Sequence, residues 1–542
     1  MRLSALLFVL LAGLSHLGCS RSVSPNTTAA KILNFGNGTE PEELDPHIVT
    51  GVTENNIITS LFEGLVNYHP SGEGVSPGVA ETWETSPDGL SWTFHLRTTA
   101  RWSNGEPLTA SDFLRSYQRI LTPTMAAKYA GNLFHVFGAE DFNTGKITDF
   151  STTGFSAPDP HTLVMRLNHP VPYLLDLVKH YSWFPVHLPT IEKFGPNDRK
   201  GNTWTRPGNL VSNGPFQLQS WLPNQKITVT RSPTFWNASA VKLDGIAFYA
   251  IDSVDAEERM FRSGQLDVTS SIPTSKISEY QENFPSLIRI DPYYGTYFFR
   301  LNVTRPPLND PRVRRALALA INRDGIINTI LRAGQTPAYN LTPAYAGFAP
   351  ATTLKTDVTE ARRLLAEAGF PEGKGLRRLE VLYNTSEAHK QIAEAIQQMW
   401  RTNLGVDISL RNEEWKVYLD SQQNLNFDIS RSAWIGDYPN PETFLDLLIS
   451  GGGNNNTGYA NPAYDRLLAD ALATSDPTVR ATLHQQMENL IVRDVPVIPL
   501  YFYKRVFLIS PRVKNWVPNI LDNRAWQHID LAPPSGELKG RD

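Results

Sequence analysis

Residue types that often carry chemistry occur in this chain without the surroundings that catalysis needs. Gly74-Val75-Ser76-Pro77-Gly78 matches the GxSxG pattern of serine hydrolases, whose serine must follow a strand and precede a helix. Here the polar stretch 69–73 precedes that pattern and a proline follows the serine directly, which predicts a loop. The 12 histidines show no HExxH or other zinc spacing, and no glycine-rich phosphate loop occurs. We therefore predict that the protein is not an enzyme and needs no metal or cofactor.

The one cysteine, Cys19, ends an apolar segment at the start of the chain. Arg2 gives this segment a basic start, and its apolar core, residues 5–14, is too short to cross a bilayer, so residues 1–19 are predicted to be a secretory signal. The ending Gly18-Cys19 resembles the lipobox of bacterial lipoproteins, in which the signal is cut before a cysteine that is then acylated. His16 stands where that motif prefers leucine. We expect lipidation at Cys19; the alternative is an ordinary signal peptide with an incidental cysteine.

Composition limits what the rest of the chain does. With Cys19 anchored or removed, no disulfide and no thiolate metal site can form, so large apolar cores must hold the protein together. The 542 residues, 41% of them hydrophobic, suit two or three domains. A net charge of −4, from 50 basic and 54 acidic residues, gives no electrostatic footprint for nucleic acid. No later apolar stretch approaches transmembrane length, and the polar residues 20–30 are typical of a tether.

The elements that would position a site alternate between strands and helices. Apolar alternation and short apolar runs predict strands at 32–35, 92–96, 379–383 and 406–410. Helical spacing predicts helices capped by Thr53 and Thr109, and further helices at about 387–402, 442–449, 463–473 and 477–492. The strand–helix–strand order of 379–410 is a βαβ unit, so at least one domain should contain parallel strands. The mixed order predicts α/β domains between which the chain crosses more than once.

Ten short motifs between residues 44 and 439 carry a resemblance to a known family. They are Leu44-Asp45-Pro46-His47, Leu61-Phe62-Glu63-Gly64-Leu65, Pro77-Gly78-Val79-Ala80-Glu81-Thr82-Trp83, Trp92-Thr93-Phe94-His95-Leu96-Arg97, Arg101-Trp102-Ser103-Asn104-Gly105, Asn213-Gly214-Pro215-Phe216, Arg231-Ser232-Pro233-Thr234-Phe235-Trp236-Asn237, Asp310-Pro311-Arg312-Val313-Arg314-Arg315-Ala316-Leu317, Leu382-Tyr383-Asn384-Thr385-Ser386 and Trp434-Ile435-Gly436-Asp437-Tyr438-Pro439. In this order they resemble the oligopeptide-binding proteins of ABC importers, the extracellular solute-binding protein family 5.

The resemblance implies a periplasmic-binding-protein-like α/β fold of the cluster C type, in which two lobes close over the ligand by a hinge motion. Lobe one would be discontinuous, at about 20–62, 185–294 and 505–542. An extra domain inserted in lobe one would span about 63–184, and lobe two about 295–504. The chain crossings near 294 and 505 would form the hinge.

The resemblance also implies the binding residues. The family's aspartate that holds the peptide's free amino group matches Asp437, and Trp434 and Tyr438 flank it and could shield the ion pair from water. Ala433 and Ile435 would offer backbone groups to the peptide as in strand addition. At the carboxylate end the family's positions match Arg431, whose guanidinium suits a carboxylate, and His389. Val52 is a further implied contact.

Several positions depart from well-studied family members. Thr50 stands where they have a glutamate, Leu331 where a lysine serves longer peptides, and Gln422 where a second arginine lies near the carboxylate end. Gly295 and Ile435 stand where enterobacterial members place a bridging cysteine pair. Peptide length and side-chain preference therefore do not follow from the resemblance.

The function that the resemblance implies is capture of short peptides in the periplasm and delivery to an inner-membrane ABC permease with a separate ATPase subunit. We expect a monomer, lipid-anchored to a membrane of a Gram-negative envelope, with no nucleic-acid partner. Two alternatives stay open. One is the same fold binding murein peptide, nickel, haem, an oligosaccharide or another solute; the other is a protein that senses peptides without transporting them.

Overall fold

The computed structural model describes residues 30–345 and 347–533. Four predictions therefore lie outside the described residues: the signal segment 1–19, lipidation at Cys19, the tether except its last residue, and the last residues of lobe one. Among the described residues no helix is both long and apolar enough to span a membrane.

The strands, numbered in chain order, are β1 (Ile32–Gly36), β2 (Val66–Tyr68), β3 (Val75–Pro77), β4 (Ala80–Thr85), β5 (Ser91–Leu96), β6 (Phe155–Asp159), β7 (Thr162–Arg166), β8 (Phe216–Leu222), β9 (Lys226–Arg231), β10 (Gly245–Tyr249), β11 (Ile288–Leu301), β12 (Thr336–Pro337), β13 (Leu379–Asn384), β14 (Ile408–Glu413), β15 (Ile429–Ile435), β16 (Val497–Leu508), β17 (Val513–Lys514) and β18 (Asp530–Leu531). The α-helices are α1 (Val52–Leu61), α2 (Ala110–Leu121), α3 (Ala139–Asn143), α4 (Leu174–Leu177), α5 (Leu188–Phe194), α6 (Val254–Arg262), α7 (Ile277–Asn283), α8 (Pro311–Leu319), α9 (Arg323–Ile326), α10 (Val358–Glu367), α11 (Glu387–Leu404), α12 (Trp415–Gln423), α13 (Glu442–Leu445), α14 (Pro462–Ala473) and α15 (Pro477–Asp494).

Three sheets organise the chain. One is four-stranded with the order β1-β10-β9-β8, the second is four-stranded with the order β4-β5-β7-β6, and the third is six-stranded with the order β12-β16-β11-β15-β13-β14. β13 and β14 pair in parallel, and α11 connects them, so the predicted βαβ unit is confirmed. Buried apolar side chains fill one cluster against each sheet, and the cluster of β1 and β10 extends to Trp434 and Phe444.

Three sequence predictions need correction. Thr53 does not cap α1, because Gly51 is the N-cap residue and the Thr53 hydroxyl instead donates to Glu54 at 2.8 Å. The strand predicted at 406–410 begins later, at Ile408, because Gly405 ends α11 in the left-handed conformation and the Val406 N–H still bonds to Trp400 of that helix. The middle of the GxSxG segment forms strand β3 rather than a loop: it pairs with β2 in a short hairpin, and the Ser76 hydroxyl donates to the Tyr68 carbonyl at 3.3 Å.

The long strands β11 and β16 pair through the middle of the six-stranded sheet. Their register is interrupted between Pro292 and Thr296. On one side of that interruption Ile288 and Leu508 belong to a small apolar cluster, and on the other side Tyr297 and Tyr501 belong to the large cluster of the sheet. These two strands therefore connect separate cores.

A buried ion pair connects the segment before α1 with α2. The Arg119 guanidinium donates two hydrogen bonds to the Asp45 carboxylate, at 3.0 Å and 2.6 Å, and the Trp204 indole N–H donates a third at 3.2 Å. Burial alone would raise the pKa of Asp45, but Arg119 outweighs burial and lowers the pKa to about 2. The contribution of the Asp45–Arg119 ion pair to folding stability is therefore present above about pH 4 and is lost as the pH falls towards 2.

We expect Arg119→Ala to lower the free energy of unfolding by about 3–5 kcal/mol, because Asp45 would be left buried without its cation. Arg115→Ala is the matched control on the same helix, since the Arg115 side chain is 43% exposed and, among the described residues, pairs only with Glu192, a contact that contributes at most about 1 kcal/mol. Urea denaturation at pH 7 measures both variants. Equal stability of the two would contradict this account of the pair.

Candidate functional site

A cavity of about 400 Å³ lies against the six-stranded sheet and the start of α1. Its wall is formed by the end of β1, the segment from Thr50 to Asn56, strand β15 with the residues after it, α12, and the residue pair 128–129. Of the residues that the resemblance implies, six line this cavity: Val52, Arg431, Ala433, Trp434, Ile435 and Asp437. Val52 is 45% exposed as the first residue of α1.

Strand β15 presents one free edge to this cavity. On one side it pairs with β11 from Ile429 to Ile435, but on the other side it pairs with β13 only at Ile429 and Ser430. The Gly436 N–H bonds to β11, whereas the Arg431 carbonyl accepts from Tyr418 and Gln422 on the opposite side. Because backbone groups alternate sides along a strand, Ala433 and Ile435 turn their N–H and C=O groups towards the free edge. The edge can therefore accept an added strand.

Asp437 follows this edge, and its side chain is only 10% exposed. The Tyr129 hydroxyl donates to the Asp437 carboxylate at 3.2 Å, and the His180 ring nitrogen lies 3.5 Å from the same oxygen. Burial lowers the pKa of His180 to about 3, so this histidine is neutral at physiological pH and supplies no positive charge. Within residues 30–345 and 347–533 no lysine or arginine forms an ion pair with Asp437.

The missing cation has a clear electrostatic consequence. Burial raises the pKa of Asp437 to about 8, although the hydrogen bond from Tyr129 opposes this shift. Burial also raises the pKa of the neighbouring acid Asp446, and the negative charges of Asp437 and Glu442 add to this shift. Asp437 is thus a carboxylate that a bound cation would stabilise strongly.

The two aromatic residues that flank Asp437 in the sequence have different surroundings. Trp434 lies on the cavity wall, where its indole N–H donates to Thr443 at 3.2 Å and its ring lies 6.2 Å from that of Tyr129. Tyr438 is not among the residues that line the cavity: its ring stacks on Tyr173 at 5.2 Å within another apolar cluster. The structure therefore brings Trp434, but not Tyr438, to the cavity.

Arg431 lies at the other end of the free edge. Its guanidinium donates to Asn384 at 3.2 Å and to the Tyr503 hydroxyl at 3.0 Å, and it lies 4.7 Å from the centre of the Tyr297 ring. Its Nε atom is buried without a hydrogen-bond partner. Among the described residues no carboxylate forms an ion pair with it, so Arg431 can receive an anion.

His389 lines a second cavity, of about 570 Å³, rather than the first. Its ring lies 5.6 Å from that of Tyr297, on which Arg431 also packs, and burial lowers its pKa well below the usual range. Leu331 lines the same second cavity, and Tyr503 lines both. His389 thus lies behind Tyr297 rather than beside Arg431 on the first wall.

The positions that depart from the family pattern also have defined places. Thr50 and Gln422 line the first cavity, and the Gln422 amide donates to Tyr418, Ser430 and the Arg431 carbonyl. Gly295 and Ile435 are directly opposite each other on β11 and β15, and a Cβ atom at Gly295 would lie 2.4 Å from the Ile435 side chain. Sequence reasoning missed most of the lining, including the charged or titratable residues Lys128, Tyr129, His180 and Arg300. Only Arg300 carried a signal, as a charge inside the apolar strand pattern of 294–301.

A strand edge with free backbone groups, with an unpaired acid near one end and an unpaired arginine at the other, has the chemistry to bind an extended, zwitterionic solute. The model of the family described as "Bacterial extracellular solute-binding proteins, family 5 Middle" matches residues 74–456. The chain belongs to this family, as the ten motifs imply.

Individual relatives agree with this assignment. The chain is 39% identical over 504 residues to the periplasmic oligopeptide-binding protein OppA of Salmonella typhimurium, and the match covers 90% of each chain. The structure of Haemophilus influenzae OppA in complex with RPPGFSPFR has a TM-score of 0.88 at 34% identity, covering 93% of this chain and 99% of that one. The unliganded open form of the murein tripeptide-binding protein MppA has a TM-score of 0.63 at 34% identity, covering 93% and 98%. The predicted fold class is therefore confirmed.

Proposed function

We propose that the protein captures short peptides by their free amino group in the cavity beside β15 and delivers them to the permease of an ABC importer. The observation that carries the proposal is that a buried Asp437 without a cation and an Arg431 without an anion lie near opposite ends of one free strand edge. A peptide with free termini supplies the matching ammonium, backbone and carboxylate. The two OppA relatives, one named as an oligopeptide-binding protein and one solved in complex with a peptide, support the same function.

The spacing of the two charges fits a short extended peptide. Asp437 is six positions after Arg431 in the sequence, which corresponds to about 20 Å of extended chain at ~3.3 Å per residue. Since both side chains also reach towards the ligand, a peptide of a few residues can join them while it pairs with Ala433 and Ile435. His389, behind Tyr297, would contact a ligand only in the second cavity.

We also propose the two-lobe organisation with the boundaries predicted from the sequence. The interrupted pairing of β11 and β16 lies next to the predicted crossing at 294, where the chain passes from one apolar core to another. The structure is more similar to a ligand complex than to an unliganded open form, which supports a closed arrangement. In this arrangement Asp437 is buried, and a ligand ammonium would stabilise it.

Murein peptide is the second candidate ligand, because a murein tripeptide-binding protein is among the relatives. The remaining parts of the proposal are a binding subunit without catalytic activity, a monomer, and a periplasmic location with an anchor at Cys19. The hydrogen bond from Ser76 to a backbone carbonyl and the hairpin around it support the absence of a hydrolase site.

We expect Asp437→Asn to weaken binding of tri-alanine by about 3–5 kcal/mol, or roughly two to four powers of ten in Kd, because the ligand ammonium would be buried without its anion. Isothermal titration calorimetry on protein refolded free of ligand measures this change. Asp446→Asn is the matched control, since Asp446 is a buried neighbouring acid outside the cavity lining and should leave Kd within about threefold. Equal Kd for Asp437→Asn and wild type would refute the ammonium site.

We expect Ala433→Pro to weaken tri-alanine binding about tenfold, because proline removes the backbone N–H that faces the free edge. The melting temperature should change little, since no strand pairs with that side of Ala433. Ala433→Ser keeps the N–H group and serves as the control. Unchanged affinity in the proline variant would show that the ligand does not pair with β15.

A further inference from the structure

Arg300 is a buried cation that the binding of a simple peptide leaves unused. It lies on β11, is 5% exposed, and lines the first cavity. Its Nη1 atom is buried without a hydrogen-bond partner, and within residues 30–345 and 347–533 its guanidinium forms no hydrogen bond or ion pair. The guanidinium carbon of Arg300 lies 5.9 Å from the centre of the Phe298 ring. Burial lowers the pKa of Arg300 to about 10, so the side chain stays charged at physiological pH.

Lys128 adds a second positive charge to the same wall. It lines the cavity, is partly buried, and forms no ion pair among the described residues. Burial lowers its pKa, and the nearby charge of Arg300 contributes to this shift. Asn454 and Asn456 line the cavity as well and could add amide donors for an anion.

The charges around the cavity do not balance for a peptide with uncharged side chains. Its ammonium would pair with Asp437 and its carboxylate with Arg431, which leaves Arg300 and Lys128 without anions. Two nearby acids are occupied: Asp522 pairs with Arg505 and Arg524, and Glu54 is buried, hydrogen-bonded and has a raised pKa. A third acid, the exposed Glu42, acts to raise the pKa of Lys128 but forms no ion pair with it in the part of the chain that the structure describes. Burying two unpaired cations is costly unless the ligand itself supplies an anion.

The sheet register places Arg300 on one face. Arg300 is opposite Ser430, so its side chain shares a face with Ser432 and Trp434, whereas Arg431, Ala433 and Ile435 belong to the other face. A peptide that extends β15 alternates its side chains between the same two faces. Only the residues that face Trp434 can therefore approach Arg300.

We propose that Arg300, assisted by Lys128, forms a subsite for a carboxylate on a peptide side chain, so that the protein prefers acidic peptides. This inference rests on the proposed function and adds a ligand class to it. It also gives a role to a charge opposite Ser430, whose hydroxyl accepts a hydrogen bond from Gln422, the position where the second family arginine is absent.

The test compares glutamate with glutamine at each position of a tri-alanine host by calorimetry. In wild type we expect the glutamate peptide to bind at least about tenfold more tightly at one position. Arg300→Gln should remove this preference and leave tri-alanine affinity within about threefold, whereas Arg300→Lys should keep most of it. Lys128→Gln, a change at a partly exposed residue, should reduce the preference for glutamate about threefold. This variant tests the proposal if the Arg300 variants do not fold.

Two results would overturn the proposal. One is equal binding of glutamate and glutamine at all three positions. The other is loss of tri-alanine affinity by more than about tenfold in Arg300→Gln, which would assign Arg300 to the terminal carboxylate instead. Failure of the proposed function is a separate outcome, since then neither tri-alanine nor any of the substituted tripeptides would bind to wild type.

Discussion

The burial of the Asp437 carboxylate without a cation is the constraint on which the site depends. Tyr129 gives it one hydrogen bond, and His180 beside it is neutral, so burial raises the pKa of Asp437 to about 8. An ionised Asp437 is stable only when water or a cation reaches it. When a ligand is bound, its ammonium group can stabilise the ionised carboxylate inside the cavity. When no ligand is bound, opening of the cavity lets water stabilise it. Ligand charge and closure would thereby be coupled.

The rest of the fold holds this carboxylate at the end of a free strand edge. β11 fixes one side of β15, while β13 pairs only with its first two residues and leaves the edge of Ala433 and Ile435 open. Trp434 connects the edge to an apolar core through Thr443, and Arg431 ends the edge with a positive charge. The same short segment thus provides the charges and backbone groups of the site, and the surrounding cores keep it rigid.

Local signals in the sequence predicted much of the fold. The βαβ unit over 379–413 followed from apolar periodicity, and the motif around Asp437 identified the segment that lines the cavity. Tyr129 and His180 could not be found in this way, because more than 250 residues separate them from Asp437 and only tertiary packing brings them together. Tyr438 and His389 lie outside the lining of the first cavity, which the sequence could not indicate, since a match in sequence does not say which cavity a side chain faces.

Small-angle X-ray scattering of the refolded protein with tri-alanine and with N-acetyl-tri-alanine tests the coupling of charge and closure most directly. In wild type at pH 7.5 we predict that the free-amine peptide reduces the radius of gyration at a much lower peptide concentration than the acetylated peptide, which leaves a proton to neutralise Asp437. In Asp437→Asn the two peptides should act at the same concentration. Compaction of wild type by both peptides at the same concentration would contradict the account.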